Sequence, residues 1–78
     1  MSDAINHPQH YNQSAKETIE EMVILFGYDA TIKFCVLNAY KYKVRAPYKG
    51  NMEEDLKKAD WYISKAEELE EQAMLKSV

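Results

Sequence analysis

Seventy-eight residues, 46% of them hydrophobic and 29% charged, with a formal net charge of −3, describe one small domain with room for a single modest core. A lone cysteine excludes an internal disulfide, no stretch approaches the roughly 18 apolar residues of a membrane span, and the acidic balance excludes indiscriminate coating of DNA. No secretory leader is recognisable either, so a cytoplasmic protein is expected, in the host cytoplasm if the chain is phage-encoded.

Residues 1–13 (MSDAINHPQHYNQ) show neither a period of 2 nor one of 3.6. Pro8 keeps His7 extended. With His7, His10 and Tyr11 the segment is chemically rich, and it reads as an ordered N-terminal arm lying on the domain.

A first helix is expected over about 14–26. Ser14-Ala15-Lys16-Glu17 has the form of a capping box, and Ala15, Ile19, Met22, Val23 and Phe26 follow at helical spacing. Gly27 is placed to stop it in a left-handed conformation. A second helix is expected over about 29–45, with Asp29 as N-cap and Ala46-Pro47 disfavouring its continuation. Ile32, Cys35, Val36 and Ala39 cover one side and Phe34 and Leu37 widen it, so this helix is central. Cys35 inside that apolar run reads as a buried, reduced thiol.

Residues 46–50 (APYKG) read as a tight basic turn. A third helix, about 51–75, starts at Asn51 with Glu54 three residues on. Met52, Leu56, Ala59, Ile63, Ala66 and Ala73 follow a 4-3 spacing that only Glu70 breaks. Its glutamate-rich end outruns the other two helices and is expected to pack on another subunit. The fold class is therefore all-α: a three-helix domain of residues 14–78 with an N-terminal arm, forming a homo-oligomer.

The charges are unevenly placed. Between Asp29 and Glu53 there is no acid, while Lys33, Lys41, Lys43, Arg45 and Lys49 are all basic. Asn38, Lys41 and Arg45 fall on one stripe of the second helix, with Lys49 in the turn beyond. Lysine and arginine at one turn's spacing suit a phosphate, and asparagine suits a base or sugar hydroxyl. The amides opening the third helix add to this, whereas Glu53, Glu54 and Asp55 oppose it. The competing reading is that Arg45 and Lys41 pair with those acids and pin the turn.

Tyr40, Tyr42, Tyr48, Trp61 and Tyr62 are interleaved with lysines; Tyr48, in the basic turn, is the best candidate for stacking on a base, whereas Trp61 and Tyr62, inside an amphipathic helix, fit core or interface. His7 and His10 suit contact with a base or phosphate, or bonding to backbone. They lack the companions of a zinc site. Glu17, Glu20 and Glu21 resemble half of a magnesium site of helical nucleotide pyrophosphohydrolases, but no Glu-x-x-Asp completes it. No phosphate-cradling glycine loop exists in a chain with two glycines.

The combination Asn6-His7-Pro8-x-His10-Tyr11, Phe34-Cys35-x-x-Asn38-Ala39-x-Lys41-Tyr42-x-x-Arg45-Ala46, Lys49-Gly50-Asn51 and Glu54-Asp55-Leu56-Lys57-Lys58-Ala59-x-Trp61-Tyr62 resembles a family of small phage and prophage proteins known as domain of unknown function 3310. The likeness spans most of residues 5–63. Members are commonly labelled nucleotide kinase-like. The resemblance implies a phage origin and a link to nucleotides, with His7, His10, Asn38, Lys41, Arg45, Asn51, Asp55 and Lys58 as the shared polar set. The family's tryptophan and glycine near positions 44 and 47 are here Val44 and Pro47, a departure that bears on the turn.

The expected function is binding of a nucleotide or similar phosphorylated small molecule, in nucleotide metabolism or by sequestering a host nucleotide immune signal. Lys41, Arg45 and Lys49 would neutralise phosphate, Asn38 and His10 would hydrogen-bond, and Tyr48 would stack; His7, Tyr11, Asn51 and Lys58 complete the expected ligand-binding set. Binding without chemistry is favoured, with no cofactor and no metal. One alternative is a nucleoside monophosphate kinase, which would need ATP and Mg2+. Another is an inhibitor of a host defence protein that uses the acidic third helix as a nucleic-acid mimic.

Overall fold

The computed structural model describes the backbone of residues 8–48 and 50–77, and side chains from Ser14 onward within them. Among these residues the protein is an all-α domain of three helices, α1 (Pro8–Phe26), α2 (Tyr28–Arg45) and α3 (Met52–Lys76). A 3-10 turn, Ala46–Tyr48, links α2 to α3.

Helix α1 begins at Pro8, not at Ser14, so residues 8–13 are helical rather than an irregular arm. A proline is at home in a first turn, where its missing N–H has no partner to lose and its φ is already helical. Ser14 consequently sits inside the helix. Its carbonyl accepts from the Thr18 hydroxyl at 3.1 Å, an interior contact in place of the expected capping box. Residues 1–7, with His7 among them, lie outside the described residues.

Gly27 alone joins α1 to α2. Its N–H donates to the Val23 carbonyl at 2.9 Å, continuing the last turn of α1. Its carbonyl accepts from the Thr31 hydroxyl at 2.8 Å and from the Thr31 amide at 3.3 Å, opening α2. The backbone holds φ +91° and ψ 170° there, with nothing within 4 Å of where a Cβ would stand. Glycine is required by conformation, not by room. Gly27, not Asp29, is the cap of α2, and Tyr28 is its first residue.

At the far end Ala46 keeps helical angles (φ −50°, ψ −49°) despite the following Pro47, and its N–H reaches the Tyr42 carbonyl. The chain runs into the 3-10 turn instead of breaking, and Ala46 is buried. Gly50, at φ +78°, reverses the chain into α3.

Helices α2 and α3 form an antiparallel hairpin: Arg45 meets Asp55, while Phe34 and Tyr42 both meet Tyr62. The core is Ile19 from α1, Cys35 and Ala39 from α2, and Ala59, Tyr62, Ala66 and Leu69 from α3. Small residues on both sides of the hairpin bring the helices close, and the Tyr62 ring fills what they leave. Burial holds the Cys35 thiol above its usual range, a pull that Lys65 opposes.

The buried face of α3 is Asp55, Ala59, Tyr62, Ala66 and Leu69. This is the expected 4-3 spacing in a neighbouring register: Leu69 occupies the seam and Glu70 lies outside it. Leu56 and Ile63, expected on the seam, stand on its flank with 40% and 38% of their surface exposed. Phe26, expected on the core face of α1, is exposed as well.

Candidate functional site

The basic stripe of α2 faces the first turns of α3. Helical spacing puts Phe34, Asn38, Lys41 and Arg45 on one flank, and the hairpin brings Lys58 of α3 across to it. Three cations gather round a single ring. Lys41 Nζ lies 4.9 Å from the centroid of Tyr42, Arg45 Cζ 5.4 Å and Lys58 Nζ 5.5 Å. Tyr42 in turn stacks on Tyr62, with centroids 6.0 Å apart and planes 13° from parallel. Trp61 and Phe34 meet Tyr62 edge-on at 5.0 and 6.1 Å.

One buried carboxylate belongs to this corner. Asp55 is 2% exposed, and its Oδ2 lies 3.4 Å from Arg45 Nε without accepting a hydrogen bond among the described residues. The pinning role foreseen for the acids of α3 is therefore real for Arg45 and Asp55. It is partial: Arg45 keeps 43% of its side chain exposed, enough to meet both Asp55 and an anion from solvent. Of the other acids in that turn, Glu53 lies 3.9 Å from Lys57.

Lys41, Arg45 and Lys58 share this corner with the buried Asp55 carboxylate. The cations' distances to one centroid mean that no two lie more than about 11 Å apart, where like charges still repel by about 0.4 kcal/mol even at water's dielectric constant. The Tyr42 π-face offsets part of that repulsion.

The remaining expected site residues are placed as follows. Asn38 is half-buried on the same stripe. Asn51 is the cap residue of α3, but its side chain makes no cap hydrogen bond. Tyr48 is 82% exposed on the 3-10 turn, and the ring that the cations share is Tyr42. Lys49 lies outside the described residues, as do the side chains of His10 and Tyr11, whose backbone forms the first turns of α1. Tyr42 is one of the aromatics that the sequence interleaves with lysines, though Tyr48 is the one expected to stack. The signal for Tyr42 was present, an aromatic next to Lys41 and three residues before Arg45, but choosing it over Tyr40 required knowing which flank α3 covers.

Beside the cation corner runs a mainly apolar cleft of about 230 Å³, lined by Ser14, Ala15, Thr18 and Ile19 of α1, Phe34 of α2 and Tyr62 of α3. Phe34 and Lys41 are seven residues apart on one flank, so cleft and cations are separated by about 10 Å along α2. Among the described residues no three His, Cys, Asp or Glu side chains come together as a metal site. No helix among them is long and apolar enough to cross a membrane.

A family model described as a protein of unknown function, DUF3310, matches residues 5–64. That span takes in Lys41, Tyr42, Arg45, Asp55, Lys58 and the residues lining the cleft, and leaves out the end of α3. No curated protein and no solved structure matches the chain.

Proposed function

The chain belongs to the DUF3310 family, and for this member we propose binding of a nucleotide or a similar phosphorylated small molecule. The observation that carries the reading is the convergence of Lys41, Arg45 and Lys58 on the Tyr42 ring, with Asp55 as the buried counter-charge. Phosphate would meet the exposed edge of that cluster through charge-assisted hydrogen bonds. The cleft between Phe34 and Tyr62 lies about 10 Å away along α2, a distance a nucleoside can span, and would take an aromatic or apolar moiety. Asn38 stands between the two. His7, His10, Tyr11 and Lys49 remain part of the proposal as residues of the same sequence motifs.

Binding without turnover suits this corner better than catalysis, because among the described residues nothing on its rim is placed to activate a nucleophile. In a phage setting such a protein would serve nucleotide metabolism or withhold a host nucleotide signal. The kinase alternative would draw on the same cations with ATP and Mg2+ supplied.

The test is a thermal-shift screen of mono-, di- and cyclic nucleotides with inorganic pyrophosphate alongside. At least one nucleotide is expected to raise the melting temperature of the native chain, and Lys41→Ala is expected to abolish that rise at unchanged helical content. Silence from the whole panel at millimolar concentration would overturn the reading. Product formed from ATP, Mg2+ and a monophosphate would convert it into the kinase.

A further inference from the structure

We propose that Gly27 is the hinge of a two-state device, in which α1 either folds back on the hairpin, as it does here, or runs on into α2 as one continuous helix. The backbone at the joint is already close to the second arrangement. The Gly27 N–H donates to the Val23 carbonyl and the Gly27 carbonyl accepts from the Thr31 amide. Both are the i to i−4 bonds of an unbroken α-helix. Among the described residues no other backbone hydrogen bond crosses the joint. The bend therefore withholds three bonds, those from the Tyr28, Asp29 and Ala30 amides to the Ile24, Leu25 and Phe26 carbonyls. It also keeps Gly27 at φ +91° and ψ 170°, a region open essentially to glycine alone. Rotation at this one residue separates the two forms.

The sequence is in register for the continuous form. Leu37, Tyr40 and Val44 form a stripe on the outer face of α2, exposed by 66%, 69% and 49%. Ile19, Met22 and Phe26 form the apolar stripe of α1. Ile19 and Leu37, Met22 and Tyr40, and Phe26 and Val44 are each 18 residues apart, five whole turns of an α-helix. One unbroken helix would set all six on a single line. The bent form uses only part of that pattern: Ile19 enters the core with Met22 against it, while Phe26 and the α2 stripe stay exposed.

Against the three withheld bonds stands the core. Among the described residues of α1, Ile19, with Met22 and Val23 beside it, leaves water only when the helix folds back, so the bent form is the resting one. The cleft belongs to that form alone. Ser14 and Phe34 both line it, yet they would stand about 30 Å apart along a continuous helix. A molecule that fills the cleft would hold the bend. On the nucleotide reading, and only on it, the hinge then regulates that site.

The test is the distance between nitroxide labels at Lys16→Cys and Lys43→Cys, both exposed positions, without nucleotide and with unlabelled chain in excess. Cys35 is buried and is left in place. A continuous helix sets the two positions about 40 Å apart, and the folded-back form keeps them well short of that. The native chain is expected to give the short distance. Gly27→Ala is expected to shift the ratio toward 40 Å by roughly a hundredfold, because alanine favours the helix and disfavours the bend. Ile19→Ala, which leaves the joint untouched, is expected to bring up the same long distance by weakening the hold of the core. The short distance alone in both variants would overturn the proposal. So would loss of the helical signal in Gly27→Ala, since alanine at the joint should extend a helix. None of these readouts depends on whether the cation corner binds a nucleotide.

Discussion

Arg45 carries two duties that the sequence had offered as alternatives. It is the counter-ion of a carboxylate with 3% of its side chain exposed, and it is one of three cations round Tyr42. Removing it strands Asp55 in an apolar seam, a cost of about 3–5 kcal/mol for a fully buried pair, which the 43% exposure of Arg45 reduces to about 1–3 kcal/mol. Arg45→Ala is therefore expected to lower the urea midpoint as well as any nucleotide response. Lys41→Ala should remove the response alone. Chemical denaturation of the two variants side by side separates the duties, and equal stability for both would show that the buried pair contributes nothing. Arg45→Ala with Asp55→Ala should recover part of the lost stability, because no charge is then left buried.

At the scale of elements, the register of α3 decides what the sequence pattern means. Two overlapping 4-3 seams share Ala59, Ala66 and Ala73. One continues through Leu56, Ile63 and Glu70, the other through Asp55, Tyr62 and Leu69. The helix buries the second because Tyr62 fills the space left by alanines and Asp55 finds Arg45. Leu69→Ala is expected to cost about 2–5 kcal/mol as a core truncation, while Glu70→Ala should stay within about 0.5 kcal/mol. Urea titrations at one fixed protein concentration measure both, and similar losses for the two would mean that the first seam is the buried one. The α1–α2 joint was legible for a different reason: a single glycine between two periodic segments leaves few geometries, and Gly27 takes one that other residues rarely adopt.

Taken whole, the molecule is thin and spread. Its radius of gyration is 13.8 Å, against about 11.5 Å for a compact domain of this length. Helix α2 is apolar on its core face and again at Val36, Leu37, Tyr40 and Val44 on the far side, so one hairpin partner satisfies half of it. The homo-oligomer expected from the sequence would make folding and association one process, and the melting temperature would then depend on concentration. Raising the chain concentration a hundredfold is expected to raise it by about 5–10 °C. A melting temperature that does not move would mark the thin monomer as the stable unit.

The sequence by itself determined the helical class, the second and third helices to within a residue at each end, the glycine joint and the clustering of cations at one corner. Each follows from local rules of spacing, capping and charge that act over a few neighbours. Only the tertiary structure decided the start of α1, the seam that α3 buries, the pairing of Arg45 with Asp55 and the choice of Tyr42 as the shared ring. Those depend on which flank of each helix meets another. A helix that is apolar on two sides, beside one with two interleaved seams, does not reveal that until the helices are brought together.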